Sequence, residues 1–358
     1  MNVRAKDDLP FEALSKEEIQ DVIHKNSTNT APGYSLITYR VLKWAWTSNL
    51  AQSHILALMD KCLHTGYHPK LWQKAITVAL KKPNKPDYSN PRAYRLITLL
   101  ECLSKVLERI IAKQLTFLAG KYDLVPTNQF GGRSNSSTSD TMLTFTSDIQ
   151  TAWNHGKVTT ALTFDIKGYF DFINHKCLLY ELRRKRIPIK YVCWVSSFLS
   201  HREAAICLDG THGKMKPVHN GIPQGSPVSP ILAAFYTTEL IEIFKPSTAH
   251  NNNQTDEYSP SSPTQINMIM YVDDRKIYVS SKSLETNTIL IKTAYEVKRW
   301  LTSARLAADT LKREVMHYSR RPKYDCSPSI TFQDSDGVAR IVSRKNTFDG
   351  SEFTLTIN

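Results

Sequence analysis

Apolar residues recur along this chain with two alternating periods, and the changes of period mark out its elements. Residues 15–23 carry a helical rhythm behind Ser15, a capping residue, with Glu17 and Glu18 placed to favour the positive end of the helix dipole. Thr30-Ala31-Pro32-Gly33 breaks it. From Tyr39 to Cys62, Leu42, Trp46, Leu50, Ile55, Leu58 and Met59 recur at roughly helical spacing, which predicts helix with this stripe in the core. Ala75-Ile76-Thr77-Val78-Ala79-Leu80 reads as a buried strand that runs into the basic, turn-rich Lys81-Lys82-Pro83-Asn84-Lys85-Pro86. Tyr94-Arg95-Leu96-Ile97-Thr98 follows, and then an amphipathic helix over 103–118. Residues 128–139, rich in Gly, Ser, Thr and Asn, lead into a further helix ending near Trp153.

The second half has the same texture. Residues 158–166 form a strand that closes on Asp165, and 174–186 a helix with Leu178, Leu179 and Leu182 on one side. Ser229-Pro230, a cap followed by proline, starts a helix that runs to about Phe244. Two short apolar runs over 266–281 flank Asp273-Asp274-Arg275 and predict a β-hairpin with charges at its turn. Residues 284–301 are helical. The polar segment 245–265, with Asn251-Asn252-Asn253, reads as a mobile insertion, and beyond Arg321 the pattern thins.

Composition adds a partner class. At 358 residues and 41% hydrophobic the chain can bury a sizeable core, and its net charge of +13 favours a polyanion through phosphate neutralisation. The run Arg183-Arg184-Lys185-Arg186 reads as a solvated basic helix end, with contact to a phosphate backbone as the alternative. Six dispersed cysteines form no Cys-x-x-Cys pair and no zinc spacing, so a reduced, intracellular chain with small core thiols is expected. Residues 1–11 mix Arg4, Lys6, Asp7 and Asp8 and form no secretory signal, and no run of about 18 apolar residues predicts a membrane span.

Asp273-Asp274 alone would be accounted for by turn hydrogen bonding. The apolar frame of Met268 to Val272 before it and Ile277-Tyr278-Val279 after it changes that reading. Carboxylates clustered inside a packed sheet are costly unless a cation neutralises them. Asp165 closes another apolar strand in the same way. Two strand ends supplying Asp suit a two-metal phosphoryl-transfer centre with oxygen-only ligands, for which magnesium is the natural ion. Between them lies Gly221-Ile222-Pro223-Gln224-Gly225-Ser226-Pro227-Val228-Ser229-Pro230, a stiff loop in which glycines permit close backbone approach and Gln224 can meet a nucleotide or template base.

The ordered set resembles the reverse transcriptases of non-LTR (LINE-like) retrotransposons, especially fungal ones. Phe164 to Asp171 looks like the family's motif A, Gly221 to Leu232 like motif B, and Tyr271-Val272-Asp273-Asp274 like motif C; the likeness covers roughly residues 15–320. It implies an α+β right-hand polymerase fold with an antiparallel palm sheet packed on helices and an incomplete or absent thumb. The organisation implied is an N-terminal helical extension (1–70), fingers (71–157), a palm (158–320, with a helical/strand insertion over 175–217) and a C-terminal remnant (321–358). The implied function is RNA-directed DNA polymerase, a nucleotidyltransferase adding dNTPs to a primer 3′-hydroxyl on an RNA template, with two Mg2+ ions or Mn2+ in their place. Asp165 and Asp273 would be the principal metal ligands, Ile166 would lend a carbonyl, and Asp274 would complete the acidic pair. Phe170 falls at the steric gate that rejects a ribose 2′-hydroxyl. Lys82 and Arg95 match the grip on the triphosphate, Gln224 and Gly225 belong to the nucleotide-binding loop, and Lys312 resembles a proton donor to pyrophosphate.

Several positions depart from the family pattern. Ala31-Pro32-Gly33-Tyr34-Ser35 stands where a Pro-Asp-Gly turn is usual, Leu96 where proline is usual, and Arg305 where a glycine is common. With about 70 residues ahead of the fingers, an endonuclease is not expected there, and a truncated or degenerate copy of an element is. The alternative is therefore a catalytically impaired remnant that only binds nucleic acid. A group II intron maturase fits the fingers less well, and Phe170 disfavours an RNA-dependent RNA polymerase. The resemblance implies action on chromosomes and hence the nucleus, with no membrane partner.

Overall fold

The computed structural model describes residues 8–133, 136–244, 265–295, 298–309, 312–320, 330–333 and 339–342. The expected insertion at 245–265, apart from Gln265, and most of the expected remnant at 321–358 lie outside the described residues.

Ser15 caps α1 (Lys16–Lys25) through a reciprocal box: its hydroxyl accepts from the Glu18 amide at 3.0 Å, and the Glu18 carboxylate accepts from the Ser15 amide at 3.2 Å. The stripe over 39–62 becomes two helices, α2 (Tyr39–Ala45) and α3 (Asn49–Thr65). The Thr47 hydroxyl donates to the Trp44 carbonyl at 2.7 Å, an offer that competes with continued helix. One helical phase does not cross that break: Leu42, Trp46 and Met59 are buried, while Leu50 and Leu58 are 69% and 41% exposed. Next come β1 (Lys74–Lys81), β2 (Tyr94–Leu99), α4 (Cys102–Lys121), α5 (Thr138–Asn154), β3 (Val158–Asp165), α6 (His175–Arg184), α7 (Ile189–Leu199), β4 (Arg202–Leu208), β5 (Thr211–His212), β6 (Lys216–Val218) and α8 (Ser229–Glu242). The chain continues as β7 (Ile266–Tyr271), β8 (Asp274–Ser281), α9 (Leu284–Ala294), α10 (Lys298–Ser303), β9 (Glu314–Tyr318), β10 (Ile330–Gln333) and β11 (Ala339–Val342). The helix expected over 284–301 is thus also two.

The chain divides into two compact units. Unit 1 comprises residues 1–125 and 170–236, unit 2 residues 126–169 and 237–358. In unit 1, β1 pairs antiparallel with β2 and parallel with β4, and β5 and β6 both pair with β4. β1 was expected to be a buried strand; within it Ala75 is buried and Leu80 is 47% exposed. The helical core lies between α1 and α4, α3 and α7, and α6 and α7. There His68 sits edge-on to Trp72, Trp194 and Phe198 at 5.5, 5.5 and 5.1 Å. Cys62 and Cys102 are buried as expected of core thiols, whereas Cys177 and Cys207 are half-buried and Cys193 is exposed.

In unit 2 a four-stranded sheet runs β7-β8-β3-β9, every pair antiparallel. Helices α5 and α9 lie against it. Phe145 of α5 meets Tyr278 and Tyr318 edge-on at 5.1 and 5.5 Å, the preferred aromatic geometry, in a cluster with Ile149, Ala161 and Ile269. The segment expected to be a plain Gly/Ser-rich connection also joins the sheet. Asn128 accepts from, and Phe130 donates to, the Met270 backbone at 2.9 Å, extending pairing beyond β7.

Candidate active site

The β3–β8 ladder decides where the carboxylates go. Its register runs unbroken from Val158 opposite Ser281 to Asp165 opposite Asp274, so two strand ends bring two carboxylates side by side. Asp274 also pairs with Tyr271 across the hairpin, which leaves Val272 and Asp273 as the two turn residues. Val272 has φ of +53°, a costly conformation for a β-branched residue that persists only where its surroundings impose it. Gly131 is part of those surroundings. A Cβ there would lie 2.3 Å from the Val272 amide nitrogen, so only glycine lets the segment after Phe130 back onto the turn.

The strand after Asp165 is held as well. Ile166 bridges Ala308, Lys167 donates to the Ala307 carbonyl at 2.9 Å, and Asp309 donates to the Asp165 carbonyl at 2.8 Å. This brings Lys312 to the Asp165 carboxylate, with which its ammonium forms an ion pair. Burial pulls the Lys312 pKa down, but the hydrogen bond and charge of Asp165 outweigh it and the net shift is upward. Unit 2 therefore gathers Asp165, Ile166, Asp273, Asp274 and Lys312. Among the described residues no three His, Cys, Asp or Glu side chains converge as a ready cage for a metal.

The hairpin contradicts one reading of the sequence. Arg275, taken there for a turn charge, is the second residue of β8 and is fully buried. Its neighbour Lys276 is half-buried with its ammonium 4.0 Å from the Phe145 ring centroid, and burial pushes its pKa down to about 8. Two cations running directly into the apolar Ile277-Tyr278-Val279 were the available signal.

Unit 1 carries the other set. The loop from Gly221 is tied by the Ile222 amide donating to the Phe170 carbonyl at 2.8 Å and the Thr98 amide donating to the Gln224 carbonyl at 2.7 Å. Gly221 (φ +75°) backs onto the Asp171 backbone and Gly225 (φ +115°) onto the Thr98 carbonyl, where a Cβ would fall within 2.5 and 2.6 Å. Below the loop, the carboxylate of fully buried Glu108 accepts from Ser104 at 2.6 Å and from Ser226 at 2.5 Å. Burial raises the Glu108 pKa, against those hydroxyls and the charges of Lys105 and Arg202. Neither Glu108 nor Arg202 stood out in the sequence.

Beside the loop lies a cavity of about 630 Å³ lined by Thr98, Asp171, Arg202, Lys216, Asn220 and Gln224. Burial raises the Asp171 pKa there and pulls that of Arg202 down to about 10. Phe170 and Gln224 are half-buried and Gly225 is exposed. Arg95, exposed on β2, pairs with Leu80 of β1, and the Lys82 ammonium beyond β1 donates to the Arg92 carbonyl at 3.0 Å.

Comparison with known proteins brings these features under one heading. The family profile described as "Reverse transcriptase (RNA-dependent DNA polymerase)" matches residues 80–335. The RNA-directed DNA polymerase from the mobile element jockey of Drosophila melanogaster is 28% identical over 276 residues, covering 77% of this chain and 28% of the relative. From the same organism, the probable RNA-directed DNA polymerase from transposon X-element is 29% identical over 243 residues, covering 67% and 26%. That from transposon BS is 26% identical over 298 residues, covering 82% and 31%. The chain thus spans about a quarter to a third of the length of these relatives. Among solved structures, apo telomerase from Candida tropicalis, truncated from its C-terminal domain, aligns at a TM-score of 0.48 and 12% identity over 71% of this chain and 52% of that one. That likeness is too distant to bear on function.

Proposed function

The chain belongs to the reverse transcriptase family, in its non-LTR, LINE-like kind and with the right-hand polymerase fold, and from that premise we propose that it extends a primer 3′-hydroxyl with deoxynucleotides on an RNA template. The observation that carries the proposal is the pairing of Asp165 with Asp274 at the ends of β3 and β8, with Asp273 in the adjoining turn. The interval 158–320 is read as palm and 71–157 as fingers.

A divalent ion fits this donor set. Magnesium is bound through one or two carboxylates together with waters and substrate phosphates, not by an all-protein cage, so an open pair of strand-end carboxylates is what such a site needs. Asp165, Asp273 and Asp274, with the Ile166 carbonyl, would hold two such ions, Mg2+ or Mn2+. When bound, they supply Lewis-acid neutralisation of charge on the attacking hydroxyl and the phosphates.

The remaining roles fall to this chain's own groups. Lys312, kept charged by Asp165, holds a proton on Nζ for the leaving pyrophosphate. The Phe170 ring crowds a ribose 2′-hydroxyl and so selects deoxynucleotides. Arg95 and Lys82 grip the triphosphate, Arg through its planar fork and Lys as a point charge. Gln224 and Gly225 form the loop against which the nucleotide is placed. The charge of +13 supports a template–primer partner. No helix among the described residues is long and apolar enough to cross a membrane, and action on chromosomal DNA would place the protein in the nucleus.

The test is primer extension on an RNA template with magnesium and dNTPs, comparing wild type with Asp273→Asn. Extension by wild type alone is expected. If wild type binds the primer–template yet extends no better than Asp273→Asn, the activity is lost and a nucleic-acid-binding remnant is what stands. In the same assay Phe170→Ala should admit rNTPs; unchanged sugar discrimination would remove Phe170 from the gate.

A further inference from the structure

Arg275 is a charge in a place the hairpin's pattern reserves for an apolar side chain. Its partners in register are Phe164 of β3 and Met270 of β7, both buried, and it is itself one of the largest fully buried side chains among the described residues. The guanidinium lies over the ring of buried Tyr169, 4.6 Å from its centroid. The Tyr169 hydroxyl is 3.1 Å from Thr237 Oγ1, which fixes that platform. Nη1 donates to the Asp273 carbonyl at 2.6 Å, in the turn itself. Nε and Nη2 are buried and find no hydrogen-bond acceptor among the described residues.

A buried guanidinium so sparsely hydrogen-bonded is costly unless negative charge compensates it. Asp273 and Asp274 lie directly before it in the hairpin, and Asp165 directly follows its register partner Phe164 on β3. The compensation is mutual, because the same three carboxylates repel one another when no ion is bound. Lys312 answers Asp165 too, but its side chain is 62% exposed, whereas Arg275 is sealed between the sheet and Tyr169.

We propose that Arg275 is a resident counter-cation of the aspartate centre, a positioning residue that holds Asp165, Asp273 and Asp274 together in the ion-free protein and sets how tightly the centre takes up divalent cations. The inference rests on the reading of these aspartates as cation ligands. A fixed positive charge beneath the centre stabilises it without ions and weakens its hold on them. Its removal should do the reverse on both counts.

The experiment is thermal unfolding of the full chain, first stripped with EDTA and then titrated with Mn2+, on wild type, Arg275→Leu, Arg275→Lys and Asp273→Asn. Stripped Arg275→Leu should melt below wild type, yet reach half-saturation at a roughly fivefold lower Mn2+ concentration. Arg275→Lys, which keeps the charge and loses the fork, should return the midpoint to within about twofold of wild type. Equal midpoints for wild type and Arg275→Leu overturn the proposal. If Arg275→Leu does not accumulate as folded protein, the double variant Arg275→Leu/Asp274→Asn should, since it removes one of the negative charges that Arg275 offsets. A double variant that also fails to fold assigns Arg275 to packing and overturns the proposal. The reading of the aspartates fails by a different outcome: wild type would gain nothing from Mn2+ and would match Asp273→Asn.

Discussion

The two units place their candidate functional residues by different means. In unit 2, Asp165 and Asp274 meet because backbone pairing runs unbroken along β3 and β8, and changing one side chain leaves that register in place. In unit 1, Gln224 rides on a loop outside any ladder. It is held by single contacts: the Thr98 amide on the Gln224 carbonyl, Ser226 on Glu108, His175 on the Gly221 carbonyl at 2.8 Å, and two glycines pressed against backbone. Periodic pairing distributes the work of positioning, whereas point contacts concentrate it. Substitutions at the unit 2 carboxylates should therefore be chemical lesions in an intact fold, and those around the unit 1 loop structural ones.

The largest expected effect puts both halves of that contrast into one measurement. Asp273→Asn should lower extension about a thousandfold, the equivalent of several kcal/mol of lost charge stabilisation, with an undisturbed far-UV spectrum. Gln224→Ala, at a loop position proposed to meet the nucleotide without bearing charge, should cost about tenfold. Equal losses with both folds intact would erase the distinction. Next in size is Glu108→Ala, which strands two buried hydroxyls and removes a negative charge that acts on buried Arg202. A loss of about 3 kcal/mol in urea unfolding is expected, and about 1 kcal/mol for Glu108→Gln, which keeps the acceptors. Wild-type stability in Glu108→Ala would show that the loop does not depend on its anchor.

The same contrast governs what could be read from sequence. Strand ends, the β-hairpin over 266–281, the Ser229 helix start and the Ser15 cap are local patterns, and each is present in the structure, although the turn itself falls on Val272 and Asp273, with Asp274 opening β8. The grouping of Asp165 with Lys312 was reached only through family likeness, because the backbone pairing of 165–167 with 307–309 that joins them is tertiary. Glu108 sits in an amphipathic helix, where a charged residue ordinarily faces water; its burial is dictated by Ser226, far away in sequence. Arg275 was passed over because charges beside a turn are common. Its burial follows from the alternation of β8, which turns Asp274 outward and Arg275 inward. The break between α2 and α3 was missed because apolar spacing alone does not register the Thr47 hydroxyl bonding back to Trp44.

Proton linkage separates the units more gently. In unit 1, burial among aromatic rings pushes the His68 pKa down to about 4 from 6.5. Between those values the unfolded chain binds a proton that the native protein refuses. The stability concerned is complete above pH 6.5 and drains away as pH falls towards 4. At pH 5 the loss should be about 2 kcal/mol relative to pH 7. His68→Phe, which keeps a ring in the box, should flatten that limb in urea titrations at the two pH values. Parallel losses in wild type and variant would assign acid sensitivity elsewhere.

The smallest effect belongs to unit 2 and has its window at the other end of the scale. Lys276 follows Arg275 in β8, and burial against Phe145 holds its pKa near 8, below the ordinary 10.5, although Asp274 acts to raise it. The unfolded chain then binds the proton more tightly between pH 8 and 10.5. The cost of charging Lys276 is complete below pH 8 and fades as pH climbs through that range. Lys276→Met keeps the apolar stem over Phe145 and removes the charge, so it should gain about 1 kcal/mol at pH 7 and lose the alkaline rise that wild type shows by pH 9.5. A variant no more stable than wild type at pH 7 would mean that Asp274 and the Phe145 ring already offset the burial. The neutralising charge of the hairpin would then be shared between both cations of β8, and the role proposed for Arg275 would be divided with Lys276.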